Sequence, residues 1–89
     1  MKIIFNNNDS GMQQELTIIS EPCYIEHERS EGEYSCFYVA YIDIEDKDQP
    51  EDCIDLVLGA WFACEGFDYY VENCELTTDS KMIVICNRV

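Results

Sequence analysis

Eighty-nine residues, 47% of them apolar and 12% aromatic, are enough for one small hydrophobic core and too apolar for a disordered chain. Nineteen Asp and Glu against five Lys and Arg leave a formal charge of −14, far beyond the magnitude of about 2–8 usual for a small domain. A field of that sign repels nucleic acid and anionic membranes and attracts basic protein surfaces, so direct nucleic-acid binding and membrane-surface roles are excluded from expectation.

Taken in order, the chain opens on a short apolar run, MKIIF, that stops at the turn signal NNNDSG over residues 6–11. This start does not read as a signal peptide. The longest apolar runs fall short of the roughly 18–20 residues of a membrane span. A cytoplasmic location is therefore expected. Residues 15–20 read as a second strand, with Leu16 and Ile18 on one face. Pro22 interrupts, residues 23–28 form a third short strand, and Arg29-Ser30-Glu31-Gly32 is a turn. The longest strand, 33–44, places Tyr34, Cys36, Tyr38, Ala40, Ile42 and Ile44 on one side and Phe37, Val39, Tyr41 and Asp43 on the other. A strand apolar on both faces is expected at the centre of its sheet.

The clearest signal is a helix over residues 48–66. Asp48 and Glu51 stand at capping-box spacing, Pro50 falls in the first turn, and Gly66 suits a left-handed cap. Cys53, Ile54, Val57, Leu58, Trp61 and Cys64 recur at helical spacing, so Trp61 is expected to anchor the core beneath a sheet. Two more strands follow, 67–76 and 81–89; in the first, Phe67, Tyr69 and Val71 share one face while Tyr70 and Cys74 take the other. The expected architecture is one α+β domain over residues 1–89. It is a twisted, mostly antiparallel sheet of five to six strands with one helix packed across one face, in the order β-β-β-β-α-β-β.

No catalytic or metal-binding motif stands out. Successive cysteines are ten to seventeen residues apart, whereas zinc ligands come in close pairs. Starting a calcium loop at Asp43 puts Ile54 at its last position, and starting at Asp46 puts Val57 there, so neither register supplies the closing Glu. The single histidine, His27, lies between two glutamates with no nucleophile motif nearby. No enzyme, metal or cofactor is expected, and the six cysteines are expected as reduced thiols in strand cores.

The acids remain. Seven fall within residues 43–55, namely Asp43, Glu45, Asp46, Asp48, Glu51, Asp52 and Asp55. A second group, Glu26, Glu28, Glu31 and Glu33, flanks the hairpin turn, and Asp68, Glu72 and Glu75 form a third. Six tyrosines accompany them. Tyrosine offers contact area at low entropic cost and carboxylates meet guanidinium groups bidentately, which suits docking on an Arg- and Lys-rich surface. The expected partner-binding set is the seven acids of 43–55 with Tyr41 and Tyr69, and the hairpin group is expected to matter less because a turn between short strands is a weak platform.

In size, charge, lone-domain layout and acid-plus-tyrosine composition the chain resembles the small acidic inhibitors that phages deploy against host defence, in particular anti-CRISPR proteins of the DNA-mimic type. It is similar also to immunity proteins that neutralise nuclease toxins. The resemblance rests on this profile and on no motif, and it carries over no site residue. It implies a phage-encoded, non-enzymatic inhibitor in the cytoplasm of a bacterial host, bound to the basic nucleic-acid groove of a nucleic-acid-handling protein such as a CRISPR effector. The rival expectation is a small accessory module whose acidity serves only solubility.

Overall fold

The computed structural model describes residues 1–44 and 50–89. Along each strand, apolar residues alternate with polar or exposed ones, and the apolar set is turned inward. The strands are β1 (Lys2–Asn7), β2 (Met12–Ser30), β3 (Glu33–Asp43), β4 (Trp61–Cys64), β5 (Phe67–Leu76) and β6 (Lys81–Arg88), with one helix, α1 (Pro50–Val57), between β3 and β4. All pairings are antiparallel, and the order β1-β2-β3-β6-β5-β4 closes into a barrel. The molecule is thus mostly antiparallel sheet with one short helix, α+β in the broad sense. Closure places β4 beside β1, the Greek-key arrangement. It comes through the pair Asn6↔Trp61. Closing the sheet removes two exposed edges that would otherwise template aggregation.

The barrel interior is filled by Ile3 and Phe5 of β1, Leu16 and Ile18 of β2, Ala40 and Ile42 of β3, Phe62 of β4, Tyr69 and Val71 of β5, and Met82, Val84 and Cys86 of β6. β3 and β4 stand on opposite sides of the ring, so the chain between them must cross from one wall to the other. The short helix makes part of that crossing, turning Cys53, Leu56 and Val57 into the core and Glu51, Asp52 and Asp55 to solvent. Asn7 fastens it. This is the one buried polar side chain of the described core. Its Nδ2 donates to the Leu56 carbonyl at 2.9 Å and the Leu58 carbonyl at 3.1 Å, and its Oδ1 accepts from the Asp9 and Ser10 amides at 3.0 and 3.2 Å. Both donors and both acceptor sites of the amide are used, and the β1–β2 turn and the end of α1 are joined at one point.

Several sequence expectations are corrected. The helix does not run over 48–66: it ends at Val57, and Trp61–Cys64 is strand β4. Gly59, at φ 81°, takes the left-handed position expected of Gly66, and the Gly59 amide already donates to the Val71 carbonyl of β5 at 3.1 Å. The start of the expected helix, Asp48, lies outside the described residues. Trp61 is not a core anchor; it faces outward, 36% exposed, against Tyr70 at 5.1 Å, while its neighbour Phe62 is buried. The element order is therefore β-β-β-α-β-β-β, and the helix lies at the barrel rim beside β1, β2 and β5 instead of across a sheet face. Pro22 does not end a strand either. Register shifts between Ile18 and Ser20 and between Ser20 and Cys23 absorb it within a continuous β2, at a level where β1 pairing has stopped and a missing N–H costs no ladder bond on that side. In β5 a register shift between Val71 and Asn73 brings Cys74 to the same inner side as Tyr69 and Val71.

Two measurements check this fold. Asn7→Ala should lower the unfolding free energy by about 2–4 kcal/mol, because two carbonyls and two amides lose their partner at once; a urea melt within about 0.5 kcal/mol of wild type contradicts the fastening role. Phe62→Ala should cost about 3–5 kcal/mol, and Trp61→Ala much less, the reverse of what the helical stripe implies.

Candidate protein-binding surface

The expected binding residues are distributed as follows. Glu51, Asp52 and Asp55 are exposed together on the outer side of α1. Asp52 and Asp55, with Ser10, Met12 and Leu56, line an open pocket of about 260 Å³. Tyr41 is 40% exposed on the outer face of β3, and Asp43, two residues on, is half-buried opposite Thr17 and Lys81. Glu45, Asp46 and Asp48 lie outside the described residues. Tyr69 is corrected: at 4% exposure it belongs to the core, stacked on Phe62 at 5.2 Å.

The carboxylates form a shell. Every described Asp and Glu is exposed except Asp43. Two exposed ion pairs, Lys2–Glu15 at 3.7 Å and Lys81–Asp79 at 3.4 Å, engage members of the shell. Crowding is visible where β2 passes the β4–β5 turn: hydrogen bonding to Glu65 and its negative charge raise the Glu21 carboxyl above the ordinary carboxylate range. Two acids that close together cannot both be charged without repulsion.

A feature not expected from the sequence is the arm. β2 pairs with β1 only as far as Thr17, and β3 pairs with β6 only from Tyr38 onward. Beyond those points the two strands continue as a two-stranded ribbon from the Ile25↔Phe37 pair to the turn at Glu31-Gly32. The molecule accordingly extends 44 Å in one direction and 27 and 23 Å in the others. The hairpin acids therefore do not sit on a turn between short strands. A free ribbon is marginal in water, but this one is tied to the core by an aromatic row. Phe5 meets Phe62 at 4.8 Å, Phe62 meets Tyr69, Tyr69 meets Tyr38 at 5.4 Å, and Tyr38 meets Tyr24 at 5.4 Å. Edge and tilted contacts of this kind add to area burial. Arg88 lies over the Tyr38 ring at 5.0 Å and the Phe67 ring at 4.2 Å.

The two faces of the arm differ. One continues the inner side of the barrel, with Tyr24 opposite Tyr38, Glu26 opposite Cys36 and Glu28 opposite Tyr34. The Tyr24 hydroxyl donates to Glu26 Oε1 at 2.9 Å, and hydrogen bonding with the Cys36 thiol and then with Glu26 raises the phenol well above its usual range, so it stays a donor. The other face continues the outer side. There Ile25 lies opposite Phe37, Cys23 opposite Val39 and Val39 opposite Ile85, with Tyr41 opposite Ile83. These seven outward positions contain no acid, in a chain where acids number nineteen in eighty-nine residues. An apolar patch with a charged surround is the usual make-up of a protein-binding surface. Sequence reading missed it because outward and inward apolar residues look alike until something is shown to cover one face.

The thiols divide likewise. Cys23 and Cys36 are exposed on the arm, correcting the expectation of core cysteines there. Burial raises the Cys64 and Cys74 thiols, and pushes Cys86 up to about 12. A thiol reagent at neutral pH should modify Cys23 and Cys36 of the native protein quickly, and Cys64, Cys74 and Cys86 only after denaturation. Equal rates at Cys36 and Cys86, read by peptide mass spectrometry, would contradict the described packing. No family model, no curated protein and no solved structure matches the chain.

Proposed function

We propose that the chain is a non-enzymatic inhibitor that docks on the basic nucleic-acid groove of a nucleic-acid-handling protein, such as a CRISPR effector, and sets carboxylates where phosphates would lie. The observation that carries this reading is the placement of the acids. Among the described residues all but Asp43 are exposed, on a closed barrel whose backbone is held by hydrogen bonds on both sides of most strands. A rigid array of carboxylates at fixed spacing competes with phosphates at little entropic cost, and lysines and arginines that would bind a nucleic acid are neutralised instead. Among the described residues, the exposed acids of α1, those of the arm, and Asp68, Glu72 and Glu75 of β5 are groups available for such contacts.

A second reading has one observation in its favour, the apolar patch of Cys23, Ile25, Phe37, Val39, Tyr41, Ile83 and Ile85 on the outer side of β2, β3 and β6. On that reading the chain is an interaction module that docks through apolar contact, and its charge serves only to keep it dispersed. Salt separates the two, since phosphate-like contacts are screened and apolar contacts are not.

The test is capture of partners from nuclease-treated bacterial lysate at low and high salt, followed by displacement of a labelled duplex from the captured protein. The inhibitor reading expects a nucleic-acid-binding partner, displacement of the duplex, and an affinity that falls steeply with salt. Neutralising Glu45, Asp46, Glu51 and Asp52 to Gln or Asn should weaken the complex by about 1–3 kcal/mol and flatten its salt dependence. A salt-independent complex, or one that leaves the duplex bound, removes the phosphate-mimic reading.

A further inference from the structure

The inner face of the β2–β3 arm is an unpartnered sheet face built from alternating rings and carboxylates. Tyr24 is 53% and Tyr34 58% exposed, and on the same side Glu26 follows Tyr24 along β2 while Glu28 lies opposite Tyr34. At the foot of this face the chain already seats a cation in the same chemistry: the Arg88 guanidinium rests on Tyr38 and Phe67. Tyr38 in turn packs on Tyr24, so the row continues outward with rings of the same kind but no cation upon them among the described residues.

We propose that this face, formed by Tyr24, Glu26, Glu28 and Tyr34, is a docking surface for an arginine-bearing segment of a partner protein. The proposal rests on the reading of the chain as one that docks on basic protein surface, and it names the part of the chain and the side chain it takes. Each incoming guanidinium stacks on a tyrosine ring while a neighbouring carboxylate accepts its N–H groups. Tyr24 lies opposite Tyr38, four residues along β3 from Tyr34, so about 13 Å of strand separates the two ring positions, and an extended segment with arginines four residues apart matches the spacing. Charge selects the occupant. Between Glu21 and Cys36 the arm carries five carboxylates and one arginine, which disfavours a nucleic-acid strand despite the stacking rings, and sets like charges together if two arms of this protein meet. The planar, weakly hydrated guanidinium suits both the ring and the carboxylate, whereas an ammonium group meets only the charge.

The experiment compares nona-arginine and nona-lysine peptides as probes of the full-length protein, followed by amide chemical shifts. Arginine peptide should bind about fivefold or more tightly than lysine peptide, with shifts centred on residues 24–28 and 34–36. In the Tyr24→Leu/Tyr34→Leu variant that preference should disappear while lysine affinity stays, and shifts of the barrel core should be unchanged. Should that variant lose its fold, Glu26→Gln/Glu28→Gln keeps side-chain shape and should weaken the arginine peptide more than the lysine peptide. Equal affinities for the two peptides overturn the proposal, as do shifts centred on α1, a preference that survives the tyrosine substitutions, or dimers formed through the arm without peptide. The outcomes are separable from the inhibitor reading: an arginine preference on the arm with no nucleic-acid-handling partner in the lysate defeats that reading alone, and capture of such a partner without the preference defeats the arm proposal alone.

Discussion

The side-chain amide of Asn7 holds the architecture at the point where three pieces of chain meet. Its four hydrogen bonds join the end of β1, the turn into β2 and the carbonyls that finish α1. A helix of eight residues has almost no stability of its own. Its last carbonyls, turned toward the core, would be costly without a donor. With Asn7 as that donor, the helix can stop early, Gly59 can reverse the chain, and β4 can reach β1 to close the barrel. Everything described about the surface follows from that closure.

Closure also explains how so charged a chain folds. Like charges repel within any compact state, and the repulsion is smallest when they are spread over the outside of a convex body. Inward positions of the barrel strands are occupied almost wholly by apolar side chains, which leaves outward positions, turns and the arm to the acids. Hydrophobic burial is non-directional, so along the strands the direction of the charges is set by alternation and register, and in α1 by the helical period.

The arm adds a second element to this body. Its inner face shares the parity of Ala40 and Ile42, and so carries the chemistry of the barrel interior, rings above all, out to where no barrel surrounds them. On its outer face Cys23, Ile25, Phe37 and Val39 join Ile83 and Ile85 in an apolar strip. Binding surfaces of both polar and apolar character are therefore present on one ribbon, and the aromatic row from Phe5 to Tyr24 gives that ribbon a seat in the core.

The sequence by itself determined the charge, the antiparallel strand class, most of the inward residues of β2 and β3, and the first turns of the helix. Each of these depends on composition or on a period of two or about 3.6 residues, which are local properties. It did not determine where the helix stops. Cys53, Val57 and Cys64 fit a helical stripe, yet Trp61 to Cys64 fits strand alternation equally well, and only pairing with Phe67 to Tyr70 decides for the strand. Nor could it show that β2 passes through Pro22, since a proline is harmless only where the neighbouring strand has already ended, or that a register shift turns Cys74 inward beside Val71. The same holds for the surface. The exposed acids of α1 were legible as a run of charge. Whether Tyr69 or Tyr24 faces solvent, and whether the outer face of β3 is covered, depends on which strands lie beside it in the closed ring, and that is a property of the tertiary structure alone.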